Sequence, residues 1–141
     1  IVAAKAFGWV LVYNQIPQQV AGLMQGTTES PLVFMLLVFV MLMVVGMVLD
    51  GIAALIILVP ILLPVAQQSY GIDPVHFGIV TCMTLSLGLL TPPVGAGLYV
   101  ASAISNVSLP RITKWILPFI IAACLVILAV IFNPWLVNVF R

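Results

Sequence analysis

Charge is almost missing from this chain: its 141 residues hold three Asp or Glu and four Lys or Arg, where a soluble domain carries about 25% charged residues. The scarcity excludes an ordinary soluble domain. The cations are only Lys5, Arg111, Lys114 and Arg141, so no basic patch exists and a nucleic-acid partner is excluded. Cysteine is scarce as well. Cys82 and Cys124 lie inside apolar runs, which argues against a disulfide framework and for two packing residues. A single His leaves no convincing metal-ligand cluster. The chain opens on Ile1 without a charged leader or cleavage site, so no signal peptide is legible, and it reads as a piece of a longer polypeptide.

What abounds is apolar: 65% of residues are hydrophobic and the mean hydropathy is +1.37. The runs are continuous rather than alternating in the segments of about ten residues that a β-barrel needs. An all-α membrane protein is therefore expected, built of transmembrane helices.

Proline, glycine and a few polar residues punctuate the runs. Residues 1–25 read as one helix bent at Pro17, because a proline pushes Ile16 away from helical geometry. Pro31 to Leu49 reads as a helix with Ser30 as its cap, and Ala53 to Gln68 as a second. At ~1.5 Å per residue the first barely spans a bilayer core and the second falls short. Two short helices with a polar tip at Asp50 and Gly51 suggest a re-entrant hairpin over residues 31–68. One long tilted span, or two ordinary passes, are the open alternatives. Residues 74–105 read as a discontinuous helix broken at Thr91 to Gly97, where Pro92 and Pro93 remove two backbone donors and Gly95 and Gly97 permit unusual dihedrals. Residues 105–114 read as a loop and 115–140 as a last transmembrane helix with Trp115 and Trp135 near its ends. Arg111 and Lys114, the only positive pair in a short loop, place that loop in the cytoplasm; Arg141 argues mildly the other way.

Two places could carry chemistry. Asp50 is a carboxylate among apolar residues without a nearby Lys or Arg. It either faces a cation or proton, or simply caps the following helix. At the break, a helix that stops leaves carbonyls without donors, and the next half-helix offers free N–H groups and a positive dipole end. Leu87 to Leu90 would supply carbonyl oxygens, the Thr91 hydroxyl another, and Val94 to Gly97 the N–H groups. Such an oxygen set suits a hard cation. His76 reads as an interfacial residue at a helix start. Thr81, Thr84 and Ser86 read as bonded to their own helix, and Glu29 as a solvated charge.

Four stretches in order then carry a resemblance: Gly46-Met47-Val48-Leu49-Asp50, Ile61-Leu62-Leu63-Pro64-Val65, Gly71-Ile72-Asp73-Pro74-Val75-His76-Phe77-Gly78-Ile79 and Gly88-Leu89-Leu90-Thr91-Pro92-Pro93-Val94-Gly95. Together with Phe7-Gly8-Trp9 and Leu117-Pro118-Phe119 they resemble the C-terminal part of the large membrane subunit, DctM type, of tripartite ATP-independent periplasmic (TRAP) transporters. The resemblance covers nearly the whole chain. It implies a non-enzymatic Na⁺-coupled importer of organic acids such as C4-dicarboxylates or sialic acids, in the bacterial inner membrane, working as an elevator built of inverted repeats. Its partners would be a small membrane subunit and a periplasmic binding protein. Na⁺ would be the coupling ion and no organic cofactor is implied. The cation would lie at Gly46, Asp50, Gly88, Leu90 and Thr91, and the substrate at Pro92, Pro93, Val94, Gly95 and Gly97. Many members have Asn where this chain has Phe39, Thr84 and Gly97, and Pro where it has Gly51, so backbone roles transfer better than side-chain ones. A membrane scaffold is the alternative function. An intramembrane aspartyl protease would need a second carboxylate within the membrane, and the only other Asp, Asp73, reads as a loop residue beside Pro74.

Overall fold

The computed structural model describes Tyr13, residues 30–92 and residues 94–138. The expected bent helix at residues 1–25 lies outside the described residues apart from Tyr13, as does Pro93. Among the described residues the chain is helical: α1 Pro31–Val48, α2 Gly51–Tyr70, α3 Pro74–Gly88, α4 Ala96–Ser105, α5 Leu109–Phe132 and a short α6 Trp135–Asn138. Three of them, α1, α2 and α5, are long and apolar enough to cross a membrane. The protein is an all-α membrane polypeptide.

Local chemistry sets the boundaries. Pro31 opens α1, where a missing N–H costs nothing. The chain leaves α1 through Leu49 and Asp50, both extended. Asp50 then caps α2, its carboxylate accepting from the N–H groups of Ile52 at 3.1 Å and Ala53 at 3.4 Å. The helix therefore starts at once, earlier than the expected Ala53, and carries Pro60 and Pro64 inside it. It ends at Gly71, whose φ of 62° lets its N–H and that of Ile72 close back on Gln67 and Ala66. With 20 residues α2 rises about 30 Å, not the short arm expected. The rings of Phe34 and Tyr70 stack with centroids 4.4 Å apart, so α1 and α2 run antiparallel as a closed hairpin with its tip at Leu49 and Asp50.

Asp73 caps α3 in the same way, accepting from Val75 and His76 N–H at 3.0 and 3.1 Å. Helix α3 is the central element, packed against α1, α2 and α5. Phe34, Val38 and Leu42, one turn apart on α1, join Phe77, Val80 and Leu85 of α3 in the core. Asn106, in left-handed geometry, stops α4, and α5 resumes at Leu109 with Pro110 in its first turn. The expected loop at residues 105–114 is thus a short turn, and Arg111 and Lys114 belong to a helix.

His76 is buried rather than interfacial. Its Nε2 lies 2.9 Å from the carbonyl of Val130 on α5. In an unbroken helix that carbonyl would accept from residue 134, but Pro134 has no N–H. A carbonyl only accepts, so Nε2 carries the proton and supplies the missing donor. His76→Phe should lower the melting temperature of the purified full transporter by an amount equivalent to about 1–3 kcal/mol. His76→Gln should recover part of it through its amide donor. An unchanged melting temperature in His76→Phe would show that this bond does not tie α3 to α5.

Candidate functional site

The hairpin tip and the break between α3 and α4 meet. Gly46, near the end of α1, lies against Gly88 at the end of α3: a Cβ built on Gly88 would fall 2.7 Å from both the Cα and the carbonyl carbon of Gly46. Only glycine at position 88 allows this backbone approach. Gly51, the first residue of α2, faces Leu85 and Leu89, so the start of α2 also rests on the last turn of α3. From the break, the Gly95 N–H donates to the Met47 carbonyl at 3.1 Å. That bond fastens the unwound segment to the hairpin tip.

The break is organised by its own backbone. The N–H of Leu90 donates to Leu87 and that of Thr91 to Gly88, each at 3.0 Å, tightening the end of α3. The Thr91 hydroxyl donates to the Leu87 carbonyl at 2.8 Å and is buried. The Gly97 N–H reaches back to the Leu89 carbonyl at 3.0 Å, and Leu98 N–H bonds Gly95 at 2.7 Å. Gly95 has φ of 49°, in the left-handed region.

These bonds show what the site residues have left to offer. The Leu87 carbonyl already accepts two hydrogen bonds, from Leu90 N–H and the Thr91 hydroxyl, and those of Gly88 and Leu89 one each, from Thr91 N–H and Gly97 N–H. A carbonyl has two lone pairs, so Gly88 and Leu89 each keep one, and the Thr91 hydroxyl keeps its acceptor capacity. A cation could therefore be held here without dismantling the break. Of the N–H groups from Val94 to Gly97, those of Gly95 and Gly97 are spent on the Met47 and Leu89 carbonyls. Val94 and Ala96 are the two not used in these bonds. Leu90 and Val94 have exposed side chains and Pro92 is half-buried. Asp50 is exposed, and its carboxylate is engaged as the cap of α2.

Met47 takes part through its carbonyl alone, and no side-chain signal could have singled it out; Leu89, among the carbonyls expected from the sequence, also sets its Cδ1 against the start of α2. Thr84 and Ser86 bond back to Val80 and Cys82 as expected. Thr81 does not: its buried hydroxyl finds no hydrogen-bond partner among the described residues. Position 97 is crowded, a Cβ there meeting Leu90 Cδ2 at 3.0 Å and Leu89 O at 3.2 Å, so any side chain there would need the break to give by a few tenths of an ångström. Position 51 is the first residue of α2, preceded by extended Asp50, and a proline would fit it without strain.

The model of the family described as "Tripartite ATP-independent periplasmic transporter, DctM component" matches residues 1–136. The chain is 36% identical over 134 residues to the sialic acid TRAP transporter large permease protein SiaM of Vibrio cholerae, a match covering 95% of this chain and 31% of that protein. It is 37% identical over 131 residues to the isethionate TRAP transporter permease protein DctMQ of Oleidesulfovibrio alaskensis, covering 93% and 20%. It is 28% identical over 137 residues to the 2,3-diketo-L-gulonate TRAP transporter large permease protein YiaN of Escherichia coli, covering 97% and 32%. The chain thus spans about a third or less of the length of these relatives.

Proposed function

The chain belongs to the DctM family of tripartite ATP-independent periplasmic transporters, and from that premise we propose that it is the part carrying the hairpin tip and the helix break in a Na⁺-coupled organic-acid importer of the bacterial inner membrane. The observation that carries the reading is the bond from Gly95 N–H to the Met47 carbonyl, beside the Gly46–Gly88 contact. It brings two interrupted helical elements together at one point, the arrangement that serves ion and substrate sites within a bilayer. The hairpin is re-entrant in this proposal, entering from outside, with its tip covered by protein.

Na⁺ would be bound by backbone carbonyls from Gly46 to Asp50 and from Gly88 to Leu90, with the Thr91 hydroxyl, while Asp50 contributes field. The relatives' named substrates, sialic acid, isethionate and 2,3-diketo-L-gulonate, all include an acidic group. A C4-dicarboxylate or sialic-acid-like anion would accordingly lie along Pro92 to Gly97, against the N-terminal end of α4. The working protein would be a transporter and not an enzyme, partnered by a small membrane subunit and a periplasmic binding protein and moving as an elevator.

The test is uptake by the full transporter in proteoliposomes with its binding protein. Thr91→Val removes one oxygen at nearly constant volume and leaves Leu87 O its bond from Leu90 N–H. It should raise the Na⁺ concentration for half-maximal uptake about tenfold, the equivalent of ~1.4 kcal/mol. Substrate affinity at saturating Na⁺ should change less, and Thr91→Ser should be close to neutral. Uptake driven by a proton gradient without Na⁺ would sink the proposal. An unchanged Na⁺ dependence in Thr91→Val would remove Thr91 from the site.

A further inference from the structure

At the junction of α4 and α5, away from the tip and the break, a groove of about 570 Å³ runs along the outside of the bundle. Ala101 and Ser105 of α4 form one wall, and Arg111, Trp115, Ile116 and Phe119 of α5 much of the other. On α5, Arg111, Trp115 and Phe119 follow at one-turn intervals and share a face. Its lining is almost wholly aliphatic and aromatic carbon. Arg111 lends its stem to the wall, and its charge, like that of Lys114, stands at the exposed end just beyond the groove, while the Ser105 hydroxyl donates to the Ala101 carbonyl of its own helix. From Arg111 to Phe119 the wall rises about 12 Å at ~1.5 Å per residue. Trp115 and Phe119 are 74% and 73% exposed, so nothing in the described chain covers them.

Arg111 and Lys114, one turn apart and both exposed, make no ion pair among the described residues. The two described carboxylates, Asp50 and Asp73, cap α2 and α3. An occupant that satisfies both ends has an anionic head and a hydrocarbon tail. A polypeptide helix lying here would have to bring its own carboxylate to that one end and bury an otherwise apolar stripe.

We propose that this groove is a binding site for an anionic phospholipid, with its phosphate between Arg111 and Lys114, its glycerol beside Ser105, and the first part of one acyl chain along Trp115 and Phe119. Basic pockets between transmembrane helices hold acidic headgroups in this way. Trp115, at the charged end, lies where an interfacial aromatic is favoured. The site ties the turn between α4 and α5 to the membrane surface. It is separate from the ion and substrate site.

The experiment uses the full transporter with its small subunit, equilibrated in phosphatidylethanolamine bilayers containing phosphatidylglycerol and examined by native mass spectrometry for co-retained lipid. The unaltered protein should retain phosphatidylglycerol in preference to phosphatidylethanolamine. Arg111→Gln should cut that retention roughly fivefold, and Arg111→Gln with Lys114→Gln about thirtyfold, from ~1 kcal/mol per cation. Arg111→Lys should keep most of it, which separates lost charge from lost folding. A photo-crosslinking residue at Phe119 should yield a lipid adduct. Equal retention of the two lipids, unchanged retention in the double variant, or a Phe119 adduct to the small subunit or to the transporter's own chain would each overturn the proposal.

Discussion

Gly88→Ala is expected to abolish transport while leaving the protein in the membrane. The added Cβ would sit 2.7 Å from Gly46 Cα and carbonyl carbon, against about 3.4 Å for ordinary contact. Both obstacles are backbone, so no rotamer change relieves them. The helices α1 and α3 must part, and overpacking of this kind costs about 1–3 kcal/mol or more. The displacement falls beside Met47, whose carbonyl holds Gly95 N–H at 3.1 Å, so a movement of several tenths of an ångström puts that bond near its limit. The site loses its geometry before the fold loses its stability. Gly46→Ala should be milder, since its Cβ would meet Gly88 Cα and Leu85 O at 3.2 Å. Gly51→Ala should be milder still, with Leu89 Cδ1 at 3.7 Å. The measurement is initial uptake rate in proteoliposomes, normalised to inserted protein. Normal uptake by Gly88→Ala, or the reverse order of the three, would show that the close approach does not shape the site.

That series also separates what the sequence makes legible from what it hides. The stops are local chemistry. Asp50 and Asp73 cap the helices that follow them with their carboxylates, Pro74 takes a first-turn place, Gly71 ends α2 in left-handed geometry, and Pro92 stands just past the end of α3, and the residues around them suffice to find them. Even so, residues 105–114 read as a loop because Pro110, Arg111 and Lys114 are unlike the apolar run that follows. Pro110 is instead a first-turn proline, and the two cations lie on an exposed helical face. The longer-range facts have weaker traces. Pro134 announces a carbonyl at Val130 without a donor, but nothing nearby in the chain says that His76 will fill it. The contact of Met47 with Gly95 is backbone to backbone, so no side chain records it. The glycines at positions 46, 88 and 95 are its only marks, and they show where a close approach is allowed without showing which partner arrives. The cation and substrate assignments are hidden in the same way, because apart from the Thr91 hydroxyl they rest on backbone carbonyl and N–H groups that nearly every residue type has.

Gly95→Ala is expected to reduce uptake to near background with the helices intact, and Gly71→Ala to leave it largely unchanged. Both glycines have positive φ, 49° and 62°. Ala in left-handed geometry costs about 1–2 kcal/mol at either place, so strain alone cannot tell the two apart. Their surroundings can. Nothing lies within 4 Å of a Cβ at Gly71, which ends α2 away from the hairpin tip. A Cβ at Gly95 would meet Thr91 O at 2.9 Å, Leu98 Cδ1 at 3.1 Å and Leu89 O at 3.3 Å. Leu98 can give by a side-chain adjustment. The other two are carbonyls of the break itself, one of them holding Gly97 N–H at 3.0 Å. Relief therefore means moving the unwound segment, and with it the Gly95 N–H that reaches Met47. The helical content of Gly95→Ala should stay at the level of the unaltered protein, because α3 and α4 end on either side of the substitution. Its melting temperature should fall by no more than a few degrees beyond that of Gly71→Ala. Equal loss of uptake in the two variants would make left-handed strain the whole cause, and normal uptake by Gly95→Ala would sever the bond to Met47 from transport.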